Sequence, residues 1–276
     1  MKKLQSMLPG TLALLLSLIM LFPLYWMFNT SIMPTSEILS LNPPLWPTLS
    51  KINFDAYVSI LHNTPILRWF ANSLNITLWS SAISMGISIL AGYSLSRFRT
   101  RGQAVMGFFL LVNRMLPGTL IIIPIFIMTN SLHLINNPLA VILTNITAIV
   151  PFATWMMKGF FDSIPVELEE AGFVDGCSRL KALVRIILPL TAPGLAATGI
   201  YSAVLAWSDF LFARSLLLES SQWTITVGTI SFIGQYMVQW SSLMAMGFLS
   251  VVPMIVLFFL LEPFFVRGMT SGAVKG

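Results

Sequence analysis

Charged side chains are scarce in this sequence: only 9% of its 276 residues are Asp, Glu, Lys or Arg, whereas an ordinary globular domain carries about 25%. Hydrophobic residues make up 56% of the chain, and charge-free stretches run well past the roughly 20 residues needed to cross the hydrocarbon of a bilayer. This composition excludes a soluble globular domain. It indicates an all-α polytopic protein whose helices lie in a lipid bilayer.

Several chemical signatures are also missing. The one cysteine, Cys177, has no partner for an internal disulfide, and His62 and His133 stand apart from any companion metal ligand. No G-x-x-x-x-G-K-[ST] sequence is found, so the chain cannot supply a phosphate-cradling loop of that kind. No set of Ser, His and carboxylate stands out either. We therefore predict no metal site and no catalytic residue in this chain.

The apolar stretches predict six transmembrane helices in a single domain that covers residues 1–276. An N-terminal apolar run after Lys2 and Lys3 imitates a signal peptide, but no small-x-small cleavage site follows it, so we interpret it as an uncleaved first helix. The expected spans are 8–28, 69–95, 104–128, 139–157, 190–212 and 243–261. The segment 158–189, between the fourth and fifth spans, returns to the polar composition of a soluble protein.

The distribution of basic residues predicts the orientation. The formal charge of +5 is spread in short groups and does not build the basic, aromatic-interleaved face that nucleic-acid binding uses. In the six-span model most Lys and Arg fall on one side of the membrane. Three basic residues fall on the opposite, outer side: Lys51, Arg68 and Arg214. Because cytoplasmic loops carry the excess of Lys and Arg, both termini and the segment 158–189 are expected in the cytoplasm.

The segment 158–189 has the pattern of a helix, a glycine break and a second helix. Pro165 and the following glutamates suit a helix N-terminus, where the dipole favours negative charge. Gly176 can adopt the left-handed conformation that turns the chain, and a basic helix then leads to Pro189. We expect a compact cytoplasmic knob with apolar residues between its two arms, namely Leu168, Ala171, Leu180 and Leu183. Such a knob suits docking to a partner.

This segment resembles the EAA loop of the permeases of binding-protein-dependent ABC importers. The family pattern is Glu-Ala-Ala, three residues, Gly, nine residues and Ile-x-Leu-Pro. The positions of this chain that match or fall within it are Glu170, Ala171, Gly172, Asp175, Gly176, Ile186, Leu188 and Pro189. Gly172 replaces the second alanine, a change that loosens a helix by up to about 1 kcal/mol. The remainder of the chain, including Ala206-Trp207-Ser-Asp209, is similar to the shorter permease of maltose-type sugar importers.

The resemblance implies a permease of the type I importer fold in the bacterial inner membrane. Such a permease pairs with a second, homologous permease and two ATPase subunits, which bind ATP and Mg²⁺, and a solute-binding protein docks outside. The EAA loop of such permeases is the coupling helix, in which Glu170 would pair with a basic residue of the ATPase. In maltose-type relatives the loop before the last helix, about 219–239 here, reaches the binding protein, and the tail, about 267–276, contacts the ATPases. A sugar or sugar derivative is the expected cargo.

Three residues within the spans are candidates for the translocation path: Arg114, Trp207 and Asp209. An intramembrane cation such as Arg114 must face protein or water, so it either gates the path or makes a structural bond. The alternative interpretation of Trp207 is an interfacial anchor, and that of Asp209 is a water-exposed group near the outer end of the fifth span. Two other functions also stay open at this stage: an ion-coupled secondary transporter, and a membrane assembly factor whose knob docks a protein other than an ATPase. The structural alternative for the segment 158–189 is an amphipathic helix pair lying on lipid headgroups.

Overall fold

The computed structural model describes residues 2–98, 101–113, 117–234 and 237–273 of the chain. Helices dominate these described residues, where the one β feature is an isolated bridge between Ile233 and Val238. The α-helices, numbered α1 to α14 in chain order, are Lys2–Ser31, Thr35–Ile38, Asp55–Asn63, Ile66–Arg97, Gln103–Asn113, Gly118–Ser131, Pro138–Asp162, Glu167–Val174, Arg179–Ala182, Leu188–Leu190, Ala192–Ser208, Leu211–Leu216, Ile225–Gly228 and Trp240–Ala273.

Within the residues that the structure describes, four helices are long and apolar enough to cross a membrane. Their apolar segments are Gly10–Ser31, Ile66–Arg97, Pro138–Asp162 and Trp240–Phe264, which overlap the first, second, fourth and sixth predicted spans. A fifth crossing is available if Arg179–Leu190 and Ala192–Ser208, which meet at a bend of 84°, count as one broken span. The all-α membrane architecture is therefore confirmed, while the count of six spans and the placement of the termini stay predictions.

The third and fifth predicted spans differ in detail from the helices. The third overlaps α5 and α6, and Arg114 in its middle lies outside the described residues. The fifth was expected to run to residue 212, but α11 ends at Ser208 because Asp209 adopts an extended conformation and caps the next short helix, α12. At its other end, Pro189 and Pro193 flank the bend between α10 and α11, since proline removes a helical hydrogen bond.

The chain clusters into two compact units, Met1–Leu67 with Gly228–Pro253, and Arg68–Val227 with Met254–Gly276. In the first unit the end of α1 contacts both α3 and the start of α14. The Ser31 hydroxyl lies 2.7 Å from that of Tyr57, and the rings of Phe28 and Phe248 are 5.1 Å apart. The apolar side chains of α1 that precede this end are exposed over Leu12 to Phe22, as lipid-facing residues are.

In the second unit α4, α7 and α11 form the core. Ile76 packs with Val141 near the beginnings of α4 and α7, and Gly92 lies against Met157 near their ends, so the two helices run parallel. At Gly92 a Cβ atom would come within 3.1 Å of the backbone of α7, which makes this the close approach of the pair. Helix α11 runs antiparallel to α7, with Gly194 against Phe160.

Candidate functional site

The cytoplasmic knob predicted from the sequence begins with α8, Glu167–Val174. Its end is a Schellman motif: the Cys177 N–H donates to the carbonyl of Gly172 over 2.8 Å, and the Gly176 N–H donates to that of Phe173 over 3.0 Å. This geometry needs a left-handed residue after the helix, and Gly176 has φ +82°. The glycine that the sequence identified as a break is therefore the residue that reverses the chain.

The second arm starts directly after this turn. The Ser178 side chain accepts a hydrogen bond from the Lys181 N–H over 3.4 Å and caps α9. The arm continues through a π-helical segment, Leu183–Ile187, and through α10 to the bend at Thr191. Leu183 and Ile187 are buried and pack on Tyr93, Met157 and Phe161, so this arm is anchored to the C-terminal ends of α4 and α7.

Four apolar residues were predicted to lie between the two arms, and for three of them the prediction is wrong. Leu183 is buried, but Leu168, Ala171 and Leu180 are exposed. The arms meet instead through Gly172, where a Cβ atom would lie 2.5 Å from the Cδ1 of Ile186. The departure from alanine at Gly172 thus coincides with a contact that leaves little room for a methyl group.

The residues of the motif divide into an exposed and an inner set. We call Leu168, Glu170, Ala171, Val174 and the C-cap residue Asp175 the outer face of α8; all are exposed, and Val174 is 88% exposed. Gly172 is buried and Ile186 and Leu188 are half-buried against the knob's interior, whereas Gly176 and Pro189 are exposed at its two turns. The outer face combines two carboxylates with apolar side chains, a composition that suits protein docking.

A buried ion pair beneath α8 was missed by sequence reasoning. The Arg97 Nε lies 2.9 Å from the Glu169 Oε2, and the two side chains are only 5% and 3% exposed. The Tyr93 hydroxyl donates to the other oxygen of Glu169, and the Arg97 Nη2 donates to the Ile164 carbonyl over 3.0 Å. Arg97 had been counted only as part of the topological charge bias. Gly172 was the signal that could have predicted the burial of Glu169. A glycine suits the packed side of a helix, and Glu169 lies on that side of α8, three residues before Gly172.

Two of the three candidate path residues have structural partners within this chain. Trp207 is buried and its ring meets that of Phe70 edge-on at 5.7 Å. Asp209 accepts from the N–H groups of Phe212 and Ala213, at 3.2 and 3.1 Å, so its carboxylate caps α12. Arg114 lies outside the described residues. A role for these three in the path stays a prediction.

Replacing Asp209 by alanine is expected to lower the free energy of unfolding by about 1 kcal/mol, because the N-terminus of α12 loses its cap. Thermal unfolding of the purified complex measures this. Asp55→Ala is the control, since Asp55 opens α3 without a side-chain cap bond. If Asp209→Ala keeps wild-type stability but loses transport, the path interpretation holds instead of the capping one.

Comparison with known proteins agrees with this geometry. Residues 84–271 match the family described as the inner membrane component of binding-protein-dependent transport systems. The inner membrane ABC transporter permease protein YcjP of Escherichia coli (strain K12) is 34% identical, over 94% of this chain and 92% of its own. The diacetylchitobiose uptake system permease protein DasC of Streptomyces coelicolor (strain ATCC BAA-471 / A3(2) / M145) is 32% identical, over 97% of this chain and 96% of its own.

Solved structures agree on the fold. A bacterial ABC transporter involved in the import of the acidic polysaccharide alginate has a chain that superposes with a TM-score of 0.78 at 23% identity, over 95% of this chain and 97% of that one. A chain of the MetNI methionine ABC transporter superposes with a TM-score of 0.62 at 15% sequence identity, over 74% of this chain and 95% of that one. The comparisons support the importer interpretation rather than an ion-coupled transporter or an assembly factor. The chain therefore belongs to the family of multi-pass inner membrane components of binding-protein-dependent ABC transport systems.

Proposed function

We propose that this permease moves a sugar or a sugar derivative, delivered from outside by a solute-binding protein, across the inner membrane. Two relatives support this cargo class by their names: DasC is named for diacetylchitobiose uptake, and SmoH of Agrobacterium fabrum (strain C58 / ATCC 33970), 32% identical over 93% of this chain, for sulfoquinovosyl glycerol transport. In this proposal the permease pairs with a second, homologous permease, and the cargo passes between them.

We also propose one permease domain over residues 1–276, with six spans and both termini in the cytoplasm. Helices α5 and α6 together supply the third span, and α11 supplies the fifth. The excess of Lys and Arg on the side of the segment 158–189 supports this orientation. Helix α14, Trp240–Ala273, runs from one compact unit into the other, which supports treating the units as parts of one domain.

The energy for transport comes in this proposal from two ATPase subunits that bind ATP and Mg²⁺ and dock on the outer face of α8. The observation that carries the proposal is the contrast between adjacent residues: Glu169 is fixed in a buried ion pair, while Glu170 is exposed on an otherwise partly apolar face. An exposed carboxylate on a firmly held helix is ready to pair with a basic residue of a partner. The permease itself contributes no catalytic residue.

Reversing the charge of Glu170 tests this docking. With Glu170→Arg we expect the ATPase subunits to bind the membrane subunits at least about tenfold more weakly, which corresponds to about 1.4 kcal/mol. Co-purification in mild detergent, titrated with ATPase, measures the loss. The control is Glu219→Arg, which reverses an exposed glutamate that is distant in sequence from α8. Equal losses in both variants, or none in either, would contradict a specific contact at Glu170.

A further inference from the structure

The segment 39–49 lies between α2 and α3 and contains no charged residue; we call it the apolar loop. Its large apolar side chains are exposed on the first compact unit, where Leu41 is 100% exposed and Trp46 is 73% exposed. The full set is Leu39, Leu41, Leu45, Trp46 and Leu49. Exposed apolar side chains grouped in this way mark a surface that meets a partner or a membrane instead of water.

The apolar loop folds back along α1 instead of extending away from the end of that helix. The Tyr25 hydroxyl donates to the Leu45 carbonyl over 2.6 Å, and the Asn29 amide donates to the same carbonyl over 3.2 Å. The Trp46 ring lies 5.3 Å from that of Tyr25. Because α1 ends at Ser31 and rises about 1.5 Å per residue, Tyr25 lies about 9 Å before that end. The middle of the loop therefore lies beside the last two turns of α1.

These two turns belong to the part of α1 that can cross the membrane. The apolar segment Gly10–Ser31 has 22 residues, which make about 33 Å of helix, close to the roughly 30 Å of the hydrocarbon core. Its last two turns are thus expected at the edge of the hydrocarbon. Tryptophan and tyrosine are enriched at this level of membrane proteins, and Tyr25 and Trp46 meet there.

The apolar loop is continuous with the exposed apolar surface of α1. The ring of Phe22 lies 6.3 Å from that of Tyr25 and 6.1 Å from that of Trp26, so an aromatic group connects Trp46 to α1. From Phe22 back to Leu12 the apolar side chains of α1 are exposed to the bilayer. This continuity favours lipid over a second protein as the partner of the loop.

The backbone of the apolar loop also suits a place out of water. Unpaired backbone N–H and C=O groups are costly in hydrocarbon, where no water can bond them. Pro43, Pro44 and Pro47 have no N–H, and the Leu45 carbonyl already accepts the two bonds from α1. The nearest charged residues flank the loop: Glu37 precedes it, Lys51 follows it, and the two form an ion pair with each other.

We propose that the apolar loop is a membrane anchor whose ligand is the boundary between phospholipid headgroups and acyl chains. Leu45 and Trp46 enter the leaflet at the C-terminal end of α1, which is the outer leaflet in the proposed topology. The bonds from Tyr25 and Asn29 hold the loop at that depth, so the anchor fixes how deeply the end of α1 lies in the bilayer. The six-span prediction leaves this loop outside the membrane, because hydropathy does not recognise a membrane contact that is shorter than a span.

Spin labelling of the complete transporter in phospholipid liposomes tests the anchor. Cys177→Ser removes the one cysteine of this chain, and nitroxide labels are then placed singly with Leu45→Cys or Trp46→Cys. Met20→Cys, on the exposed side of α1, is the lipid reference, and Ser36→Cys, exposed on α2, is the water reference. Cys177→Ser without an introduced cysteine gives the background of the other subunits. Power saturation by oxygen and by a water-soluble nickel chelate measures the exposure of each label to lipid and to water.

At both loop positions we expect oxygen to relax the label more than nickel does, at a depth of about 5–10 Å below the phosphates. This depth lies between those of the two references. Stronger relaxation by nickel at both positions would place the loop in water. Weak relaxation by both reagents would place it beneath a protein, such as the second permease or the binding protein. Either result overturns the anchor.

Fluorescence gives a second measurement that leaves the native side chains in place. The emission that is lost on Trp46→Phe is the emission of Trp46 itself. In the wild-type transporter we expect phospholipids with brominated acyl chains to quench this emission, and aqueous iodide to leave it nearly unchanged. Quenching by iodide and not by brominated lipid would overturn the anchor, even if the spin labels had drawn the loop into the bilayer.

Discussion

Replacing Gly176 by proline is expected to abolish both ATPase binding and transport-coupled ATP hydrolysis. The native φ of +82° cannot be adopted by proline, whose ring holds φ near −65°. Proline also lacks the N–H that Gly176 donates to the Phe173 carbonyl, so the Schellman motif at the end of α8 is lost. The second arm would then leave the knob in a different direction and displace the outer face of α8. Co-purification and stimulated ATPase activity in proteoliposomes measure the effect.

Two further variants define the cause. Gly176→Ala retains the N–H but places a Cβ in the left-handed region, so we expect an intermediate loss that reflects a strain of about 1 to 2 kcal/mol. Gly159→Ala, in α7 on the same side of the membrane, meets open space and should behave as wild type. Normal ATPase binding by a folded Gly176→Pro protein would mean that the ATPase contact lies elsewhere in the chain.

The second large effect is expected at Gly92, where leucine should prevent stable packing of α4 on α7. The first added atom would lie 2.9 Å from the Met157 Cβ, 3.0 Å from the Lys158 nitrogen and 3.1 Å from the Thr154 oxygen. Two of these are backbone atoms, which cannot rotate away. Overpacking costs about 1 to 3 kcal/mol even where side chains can adjust, so we expect at least about 3 kcal/mol here. Thermal unfolding of the detergent-solubilised protein measures it.

Gly86→Leu is the matched control for this prediction. Gly86 lies on the same helix, its side is exposed, and an added Cβ meets nothing within 4 Å. A leucine at this exposed position should therefore be neutral or slightly stabilising to the helix. Equal stability of the two variants would contradict the parallel close packing of α4 and α7.

Sequence reasoning located the helix–turn–helix structure of the knob well because its signals are local. A helix N-terminus, a left-handed glycine and a helix restart each depend on residues a few positions apart, and Gly176 has the predicted conformation. The Glu170 motif was found for the same reason, since its spacing is fixed along the chain. The composition alone also identified the membrane class, because hydropathy depends on nothing but residue type.

Pairings between distant residues could not be predicted in this way. Glu169 and Glu170 are adjacent glutamates with the same helix propensity, yet one is 2% exposed and paired with Arg97 and the other is exposed. Which of them faces inward depends on how α8 rotates against α4, some 70 positions earlier in the chain. The apolar filling expected from Leu168, Ala171 and Leu180 failed for the same reason.

The sequence by itself determined the membrane class, the family and the position of the knob, because hydropathy, motif spacing and turn chemistry are encoded in residues close together. The tertiary structure alone decided that α4 and α7 run in contact at Gly92, that Asp209 caps α12 and ends α11, and that both ends of α4 are tied to loops distant in sequence. Such contacts depend on how whole helices are rotated about their axes and shifted along them relative to one another. A helix that is apolar on all sides has no amphipathic pattern, so its sequence does not predict which face packs against which neighbour.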